Sequence, residues 1–147
     1  MTERMRLDDG VERHVRAYFA SIAHLRHLGV VLHALRPGFC EMRMTIRPEH
    51  TQQHGYLHGG IIGTIADSAC GHAALTLLPA GADVVTVEYK LNFLAPARGG
   101  QLNVRAEVLN PLPGGRTLTV GEAHAYVVRD GSETRCASAL VTYLTLG

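Results

Sequence analysis

One stretch decides how this chain folds: His58-Gly59-Gly60-Ile61-Ile62-Gly63-Thr64-Ile65-Ala66-Asp67-Ser68-Ala69. Its small and apolar residues predict a helix, which we expect to run from about Gly60 to Leu77 and to end before Pro79. Apolar side chains surround most of this helix, so it should be buried on most sides. Asp67 is the exception. A buried carboxylate without a partner is costly, so this acid is either hydrogen-bonded by its neighbours or kept for chemistry, and we favour chemistry.

Three glycines, Gly59, Gly63 and Gly71, share the helix face that carries Asp67, because these four residues are spaced four apart. A glycine inside a helix costs about 1 kcal/mol relative to alanine, so something must approach this face closely. For Gly63 and Gly71, close packing of a helix or sheet explains the pattern as well as a ligand does.

The start of the helix, at Gly59 and Gly60, has free N–H groups and the positive end of the helix dipole, which together can hold an oxyanion such as a polarised ester or thioester oxygen. Asp67 lies roughly 10 Å further along, too far to reach a carbonyl held at Gly59 in the same chain. A second subunit could supply the aspartate. The geometry therefore favours a homodimer or a dimer of dimers.

The remaining elements predict a sheet around this helix. An amphipathic helix is expected from Asp9 to about Leu28, with Asp9 and Glu12 at capping-box spacing, followed by strands at residues 30–35 and 39–46. After the central helix come four strand-like runs, the last two joined by the turn signal Asp130-Gly131. Three faces are predicted to be buried: Cys40, Met42, Met44 and Ile46; Val85, Val87, Tyr89, Leu91 and Phe93; and Leu102, Val104, Ala106 and Val108.

This order of elements indicates an α+β fold in which an antiparallel sheet curls around one long central helix. With 147 residues, 46% of them hydrophobic, we expect a single domain over 1–147, with residues 1–28 as a helical segment packed on it.

Composition narrows the classes of function. The net charge of +1 comes from charges spread along the chain, which argues against nucleic acid binding. No apolar run is long enough for a membrane span, and the N-terminus does not have the pattern of a signal peptide, so we expect a cytoplasmic protein that needs no cofactor. Cys40, Cys70 and Cys136 are interpreted as reduced core residues rather than as a disulfide or zinc site, and Cys70 is not favoured as a nucleophile.

A metal site is one alternative, because His50, His54 and His58 are also four apart. Pro48 and Gly55 argue against the helix that would bring these histidines together. We therefore predict no metal and interpret these imidazoles as ordinary hydrogen-bonded side chains.

The run His58-Gly59-Gly60, with Asp67 nine residues after the histidine and Asn92-Phe93-Leu94-Ala95-Pro96-Ala97 downstream, resembles the hotdog-fold acyl-CoA thioesterases of the phenylacetate-degradation type. The resemblance covers about Gly29 to Leu146. It implies hydrolysis of acyl-CoA thioesters at a dimer interface. Asp67 would be the nucleophile or general base, the Gly59 N–H would polarise the carbonyl, and His58 would orient the turn.

Further site residues follow from the same resemblance. Gln52 stands where many relatives carry an Asn that orients the thioester or the water, and Thr86 lies near a position where some relatives use Ser or Thr to place the water. Gly60 and Ser68 are further candidates for substrate binding. The cations that are candidates for contacting coenzyme A are Arg98 and Arg116, and the alternative for each is an ordinary solvated charge.

Two other functions stay open on the sequence. Hotdog domains also act as hydratases or dehydratases on acyl thioesters, although the pairing of a histidine with an acid known from those enzymes does not stand out here. A non-catalytic module that binds acyl-CoA is the second alternative. Asp67 argues against it, because an apolar acyl pocket has no need of a carboxylate.

Overall fold

The computed structural model describes residues 6–111 and 117–147. Its helices are α1 (Asp9–Ser21), α2 (Ala23–Leu28) and α3 (Gly59–Leu75). Its strands are β1 (Val31–Arg36), β2 (Phe39–Thr45), β3 (Asp83–Phe93), β4 (Gln101–Val108), β5 (Leu118–Arg129) and β6 (Ser132–Leu146), and a 3₁₀ turn spans Pro48–His50. The strands form one antiparallel sheet in the order β1-β2-β4-β5-β6-β3.

The central helix α3 packs against five strands, β2 to β6, so the sheet wraps around it as the sequence predicts. Most of its residues are buried, in agreement with the apolar character of its circumference. The α+β hotdog architecture expected from the sequence is therefore confirmed. The helix begins at Gly59 and ends at Leu75, two residues before the predicted end.

Two of the predicted strand faces are confirmed. The alternating residues of β2 and β4 lie in the core, together with Ile46, which directly follows β2. All of them are at most 9% exposed: Cys40, Met42, Met44, Ile46, Leu102, Val104, Ala106 and Val108. On the opposite face of β2, the charged residue Glu41 is only 8% exposed. Two arginines cover it, because its carboxylate oxygens lie 2.8 Å from Arg43 Nε and 3.7 Å from Arg105 Nε.

The prediction that one face of β3 is buried is wrong, because only Leu91 of that face is half-buried, whereas its other members are exposed: Val85, Val87, Tyr89 and Phe93. The pairing of β3 with β6 shifts between Thr86 and Glu88, so the alternation of inward and outward side chains changes at a β-bulge. Before the bulge Val84 is buried, whereas Val85 and Val87 are 43% and 57% exposed. Since β3 is also the edge of the sheet, the apolar residues of its outer side have no neighbouring strand.

The N-terminal segment differs from the expected single helix. It forms two helices, because Ile22 has an extended backbone and separates α1 from α2. The cap of α1 is Asp8, whose Oδ1 accepts from the N–H groups of Gly10 and Val11 at 2.8 and 3.1 Å, instead of the predicted Asp9.

The hairpin between β5 and β6 turns at Asp130 and Gly131, both with positive φ, as the turn signal predicts. The three cysteines are buried and free, which confirms their interpretation as reduced core residues. None of the helices in 6–111 and 117–147 combines the length and apolar character of a membrane span.

Candidate active site

His58 fixes the start of α3. Its Nδ1 accepts from the Gly60 N–H at 3.0 Å, and its carbonyl oxygen accepts from the Ile61 N–H at 3.0 Å. The His58 N–H in turn donates to the His50 carbonyl at 2.9 Å. In the part of the chain that the structure describes, no group accepts from the Gly59 N–H. This N–H is therefore the free donor at the positive end of the helix dipole.

Gly59 lines a pocket of about 480 Å³. Most of the downstream motif of residues 92–97 lines the same pocket. Its walls come from the loop before α3, the helix start, the end of β3 and the segment after it: Gln52, Tyr56, Leu57, Ile62, Phe93, Leu94, Ala95, Pro96 and Ala97. The structure thus brings together Gly59 and Gln52, two residues that the sequence placed in one site. Apolar walls with few polar groups are typical of a ligand pocket.

Gln52 has its amide oriented by the loop in which it lies. The side-chain oxygen accepts from the N–H groups of His54 and Tyr56 at 2.5 and 3.3 Å. Its NH₂ group has no acceptor among the described residues, and Gln52 lines the pocket. Gln52 can therefore offer a donor to a ligand carbonyl or to a water.

Arg98 lies at the edge of this pocket. Its guanidinium stacks on the ring of Tyr56, 4.3 Å from the ring centroid, and donates to the His54 carbonyl at 3.3 Å. The side chain is exposed and Tyr56 lines the pocket, so the charge lies next to a wall residue of the pocket. Arg116, the other predicted cation, lies outside the described residues.

Asp67 lines a second pocket, of about 190 Å³, together with Ser68 and Thr86. The Thr86 hydroxyl donates to Asp67 Oδ1 at 2.7 Å, so Thr86 contacts the carboxylate directly. The hydroxyl of Tyr143, on β6, donates to the same oxygen at 2.7 Å and also contacts the Asp67 main-chain carbonyl. The half-buried carboxylate is thus held by two neutral hydroxyls. Among the described residues, Asp67 forms no salt bridge.

Tyr143 was missed by the sequence analysis. Burial raises the pKa of its hydroxyl far above the usual range, and the nearby charge of Asp67 raises it further. The hydroxyl therefore keeps its proton and acts as a donor. Its inward direction could have been found from the alternation of β6, but its contact with Asp67 depends on how β6 pairs with β3.

His72 is a second residue that the sequence analysis did not place in this site. It is buried in the wall of the Asp67 pocket, its Nδ1 lies 2.7 Å from the Ser68 carbonyl oxygen, and its Nε2 has no partner among the described residues. The rings of Tyr18 and Phe19, on α1, pack edge-on against it. Burial lowers the pKa of His72, so the ring is neutral at pH 7.

The glycine face of α3 is covered by aromatic side chains of β3 and β6. A Cβ added at Gly59 would lie 2.4 Å from Phe93 Cζ, and one added at Gly63 would lie 3.0 Å from the Tyr89 hydroxyl. At Gly71 the nearest atoms are those of the Tyr143 ring, from 3.0 Å. Close packing by the sheet therefore accounts for these glycines.

The histidines of the alternative metal site serve other contacts. The Arg47 N–H donates to His50 Nδ1 at 3.1 Å, while His58 Nδ1 is used by Gly60. Across residues 6–111 and 117–147, no three His, Cys, Asp or Glu side chains are grouped as a metal site would need. Burial strongly raises the pKa of Cys70, which opposes thiolate chemistry there.

Comparison with known proteins identifies related sequences and folds. The family model described as "Thioesterase superfamily" matches residues 54–130. Human acyl-coenzyme A thioesterase 13 is 32% identical over 90 residues, which are 60% of this chain and 61% of that protein.

Two solved structures show the same fold over nearly the whole chain. A thioesterase family protein from Silicibacter pomeroyi superposes with a TM-score of 0.88 and 46% identity, covering 92% of this chain and 98% of that one. The Escherichia coli PaaI protein from the phenylacetic acid degradation operon superposes with a TM-score of 0.82 and 22% identity, covering 96% of each chain.

Proposed function

Because this chain belongs to the Thioesterase superfamily, as His58-Gly59-Gly60 and Asp67 indicated, and is a thioesterase of the hotdog fold, we propose that it hydrolyses acyl-CoA to free acid and coenzyme A. One observation carries the proposal: the unpaired Gly59 N–H and the Asp67 carboxylate lie on the same face of α3 and each lines a pocket. The name of the human relative, an acyl-coenzyme A thioesterase, supports this substrate class.

The first step is polarisation of the thioester carbonyl at the start of α3. The Gly59 N–H donates to the carbonyl oxygen, and the helix dipole favours the negative charge that develops there. A donor of this kind stabilises the transition state by about 3 kcal/mol. Gln52, whose NH₂ belongs to the same pocket, supplies a second donor to the carbonyl or to the attacking water.

Asp67 of a second subunit supplies the base or the nucleophile. As a base, its carboxylate takes a proton from water while the water oxygen attacks the carbonyl carbon. The C–S bond then breaks, and the thiolate takes up the proton that Asp67 had accepted. As a nucleophile, it forms a mixed anhydride as the C–S bond breaks, and water then cleaves the anhydride. In both routes the same bond is broken and the same products leave.

Features of β3 support the two-subunit arrangement. This strand forms an edge of the sheet and is eleven residues long, so its outer side offers a row of unpaired backbone groups to a second chain. Apolar side chains are exposed along it and just after it: Val85, Val87, Tyr89, Phe93 and Leu94. An apolar edge of this kind marks an interface, and pairing there would bring two copies of α3 close together.

Asp67→Asn tests the catalytic role, because it keeps the shape of the side chain and removes the base. We expect hydrolysis to fall by several orders of magnitude while substrate binding survives. Retention of more than a tenth of the wild-type turnover would contradict the assignment. Single turnover in oxygen-18 water then separates the two routes, since only the anhydride route places label in the Asp67 peptide.

A panel of acyl-CoA thioesters with a thiol reagent tests the reaction class. The proposal predicts release of free coenzyme A. An altered acyl chain without free thiol would indicate a hydratase or dehydratase, and neither product would indicate a binding module.

A further inference from the structure

The Asp67 carboxylate is hydrogen-bonded on one oxygen only. Thr86 Oγ1 and the Tyr143 hydroxyl both donate to Oδ1, each at 2.7 Å, and no described group donates to Oδ2. Two donors from neighbouring strands fix both the position and the rotation of the carboxylate. The second oxygen is left for whatever enters the pocket.

Tyr143 can hold the Asp67 carboxylate in place better than an exposed hydroxyl could. Its side chain is packed in the core, at 4% exposure, so the phenol cannot swing away from Asp67. Its raised pKa, caused first by burial and then by the charge of Asp67, keeps it protonated throughout the neutral range. Thr86, by contrast, lies on an edge strand and is exposed.

Gly71 makes the contact possible. A Cβ at this position would lie 3.0 Å from Cε1 of Tyr143 and 3.2 Å from both Cζ and the hydroxyl oxygen. These distances are shorter than ordinary van der Waals contacts, so a side chain at residue 71 would push the phenol away from the carboxylate. Gly71, one turn after Asp67, thus leaves the space that the Tyr143 ring occupies.

We propose that Tyr143 is a positioning residue that holds Asp67 Oδ1, so that Oδ2 is the reacting atom. In the base route Oδ2 takes the proton of the attacking water. In the nucleophile route Oδ2 forms the bond to the acyl carbon as the C–S bond breaks. This inference rests on the proposed function of Asp67 and adds a residue that neither the motif nor the resemblance names.

Tyr143→Phe is the direct test, because it keeps the ring and removes only the hydroxyl. We expect kcat for acyl-CoA hydrolysis to fall roughly 10- to 100-fold, with KM nearly unchanged, since a loosely held catalytic group is costly to the chemical step. The acidic limb of the pH–rate profile should move to higher pH, because a donor that favours the charged carboxylate has gone. A purely structural role would reduce the folded fraction but leave the profile of the folded enzyme in place.

Further variants show whether the effect of Tyr143→Phe is specific to the hydrogen bond with Asp67. Thr86→Val removes the other donor to Oδ1, and the double variant should lose less than the product of the two single effects. Tyr126→Phe is the control, because its hydroxyl contacts Arg135 rather than the site. Where Tyr143→Phe folds poorly, 3-fluorotyrosine at residue 143 supplies a stronger donor and should move the acidic limb to lower pH.

The proposal is overturned by wild-type kcat and an unshifted pH profile in Tyr143→Phe, or by an unshifted profile with fluorotyrosine. Asp67→Asn measured in the same assay separates this failure from that of the proposed function. An inactive Asp67→Asn beside a fully active Tyr143→Phe would remove only the role of Tyr143, whereas an active Asp67→Asn would remove both.

Discussion

Gly59 and Asp67 lie on one face of α3, yet they line two separate pockets of the same chain. The eight-residue step from Gly59 to Asp67 corresponds to roughly 12 Å of helix. A thioester carbonyl held at one of these residues is therefore beyond the reach of the other. This separation is the reason to expect that each active site combines Gly59 of one subunit with Asp67 of another.

The Gly59 N–H can be removed without removing the helix. Proline lacks the N–H and is well tolerated at the first position of a helix, so Gly59→Pro should lower kcat/KM roughly 100- to 1,000-fold. Gly59→Ala is the matched control, because it introduces the same contact with Phe93, at 2.4 Å, and keeps the N–H. Steady-state kinetics that show equal losses in both variants would assign the effect to Phe93 and not to the N–H.

Arg98 should contribute to binding of the nucleotide part of coenzyme A, because its exposed charge lies on Tyr56, a wall residue of the pocket. Arg98→Ala should raise KM for acyl-CoA roughly tenfold, the loss typical of one charged hydrogen bond. The KM of the matching acyl-pantetheine, which has no nucleotide, should stay the same, and Arg129→Ala serves as an exposed control. If both substrates lose affinity equally, Arg98 acts on the pocket wall and not on phosphate.

Gly71→Ala sets two effects against each other. Alanine should stabilise the helix by about 1 kcal/mol, but its Cβ would crowd the Tyr143 ring at 3.0 to 3.2 Å. We expect roughly tenfold slower hydrolysis, because the buried ring must move and carries the donor to Asp67 with it. Gly63→Ala is the control, since it lies on the same helix face but meets the Tyr89 hydroxyl, at 3.0 Å, and not the ring that carries the donor to Asp67. Equal rates in the two variants would show that Gly71 has no special relation to Tyr143.

His72 should make the fold sensitive to acid. Burial lowers its pKa in the folded chain, so below about pH 6.5 the unfolded chain binds more protons and the free energy of unfolding decreases as pH falls. His72→Leu should remove up to about 1.4 kcal/mol per pH unit of this dependence between pH 7 and 5. Part of the dependence should remain, because burial also lowers the pKa of His50.

Urea unfolding at several pH values measures this effect, with the exposed His33→Leu as control. Parallel pH dependences in wild type and His72→Leu would show that His72 does not contribute.

The central helix and the inner face of β2 could be predicted from the sequence because both patterns are local. Apolar residues surround α3, and Cys40 to Ile46 alternate without interruption. The break at Ile22 and the bulge after Thr86 have no comparable signal, since each is set by what the segment packs against. The side of β3 that faces Asp67 was therefore misassigned.

The candidate site also contains residues that the sequence predicts and one, Tyr143, that it does not. Asp67 and Gly59 belong to a short motif, Gln52 follows from the family resemblance, and the structure places each of them in a pocket. Tyr143 lies 76 residues from Asp67 in the chain, and their contact depends on the pairing of β3 with β6. Contacts of this kind depend on tertiary structure, which a single sequence does not reveal.

Mixed dimers test the shared site most directly. Chains carrying Asp67→Asn and Gly59→Pro, each with a different tag, are co-expressed, and the dimer that contains one of each is purified. If the site is shared, one of its two sites carries both changes and the other carries neither, so about half of the wild-type activity should return although each parent is inactive. A mixed dimer as inactive as its parents would place Gly59 and Asp67 of a single chain in the same site and contradict the two-subunit mechanism.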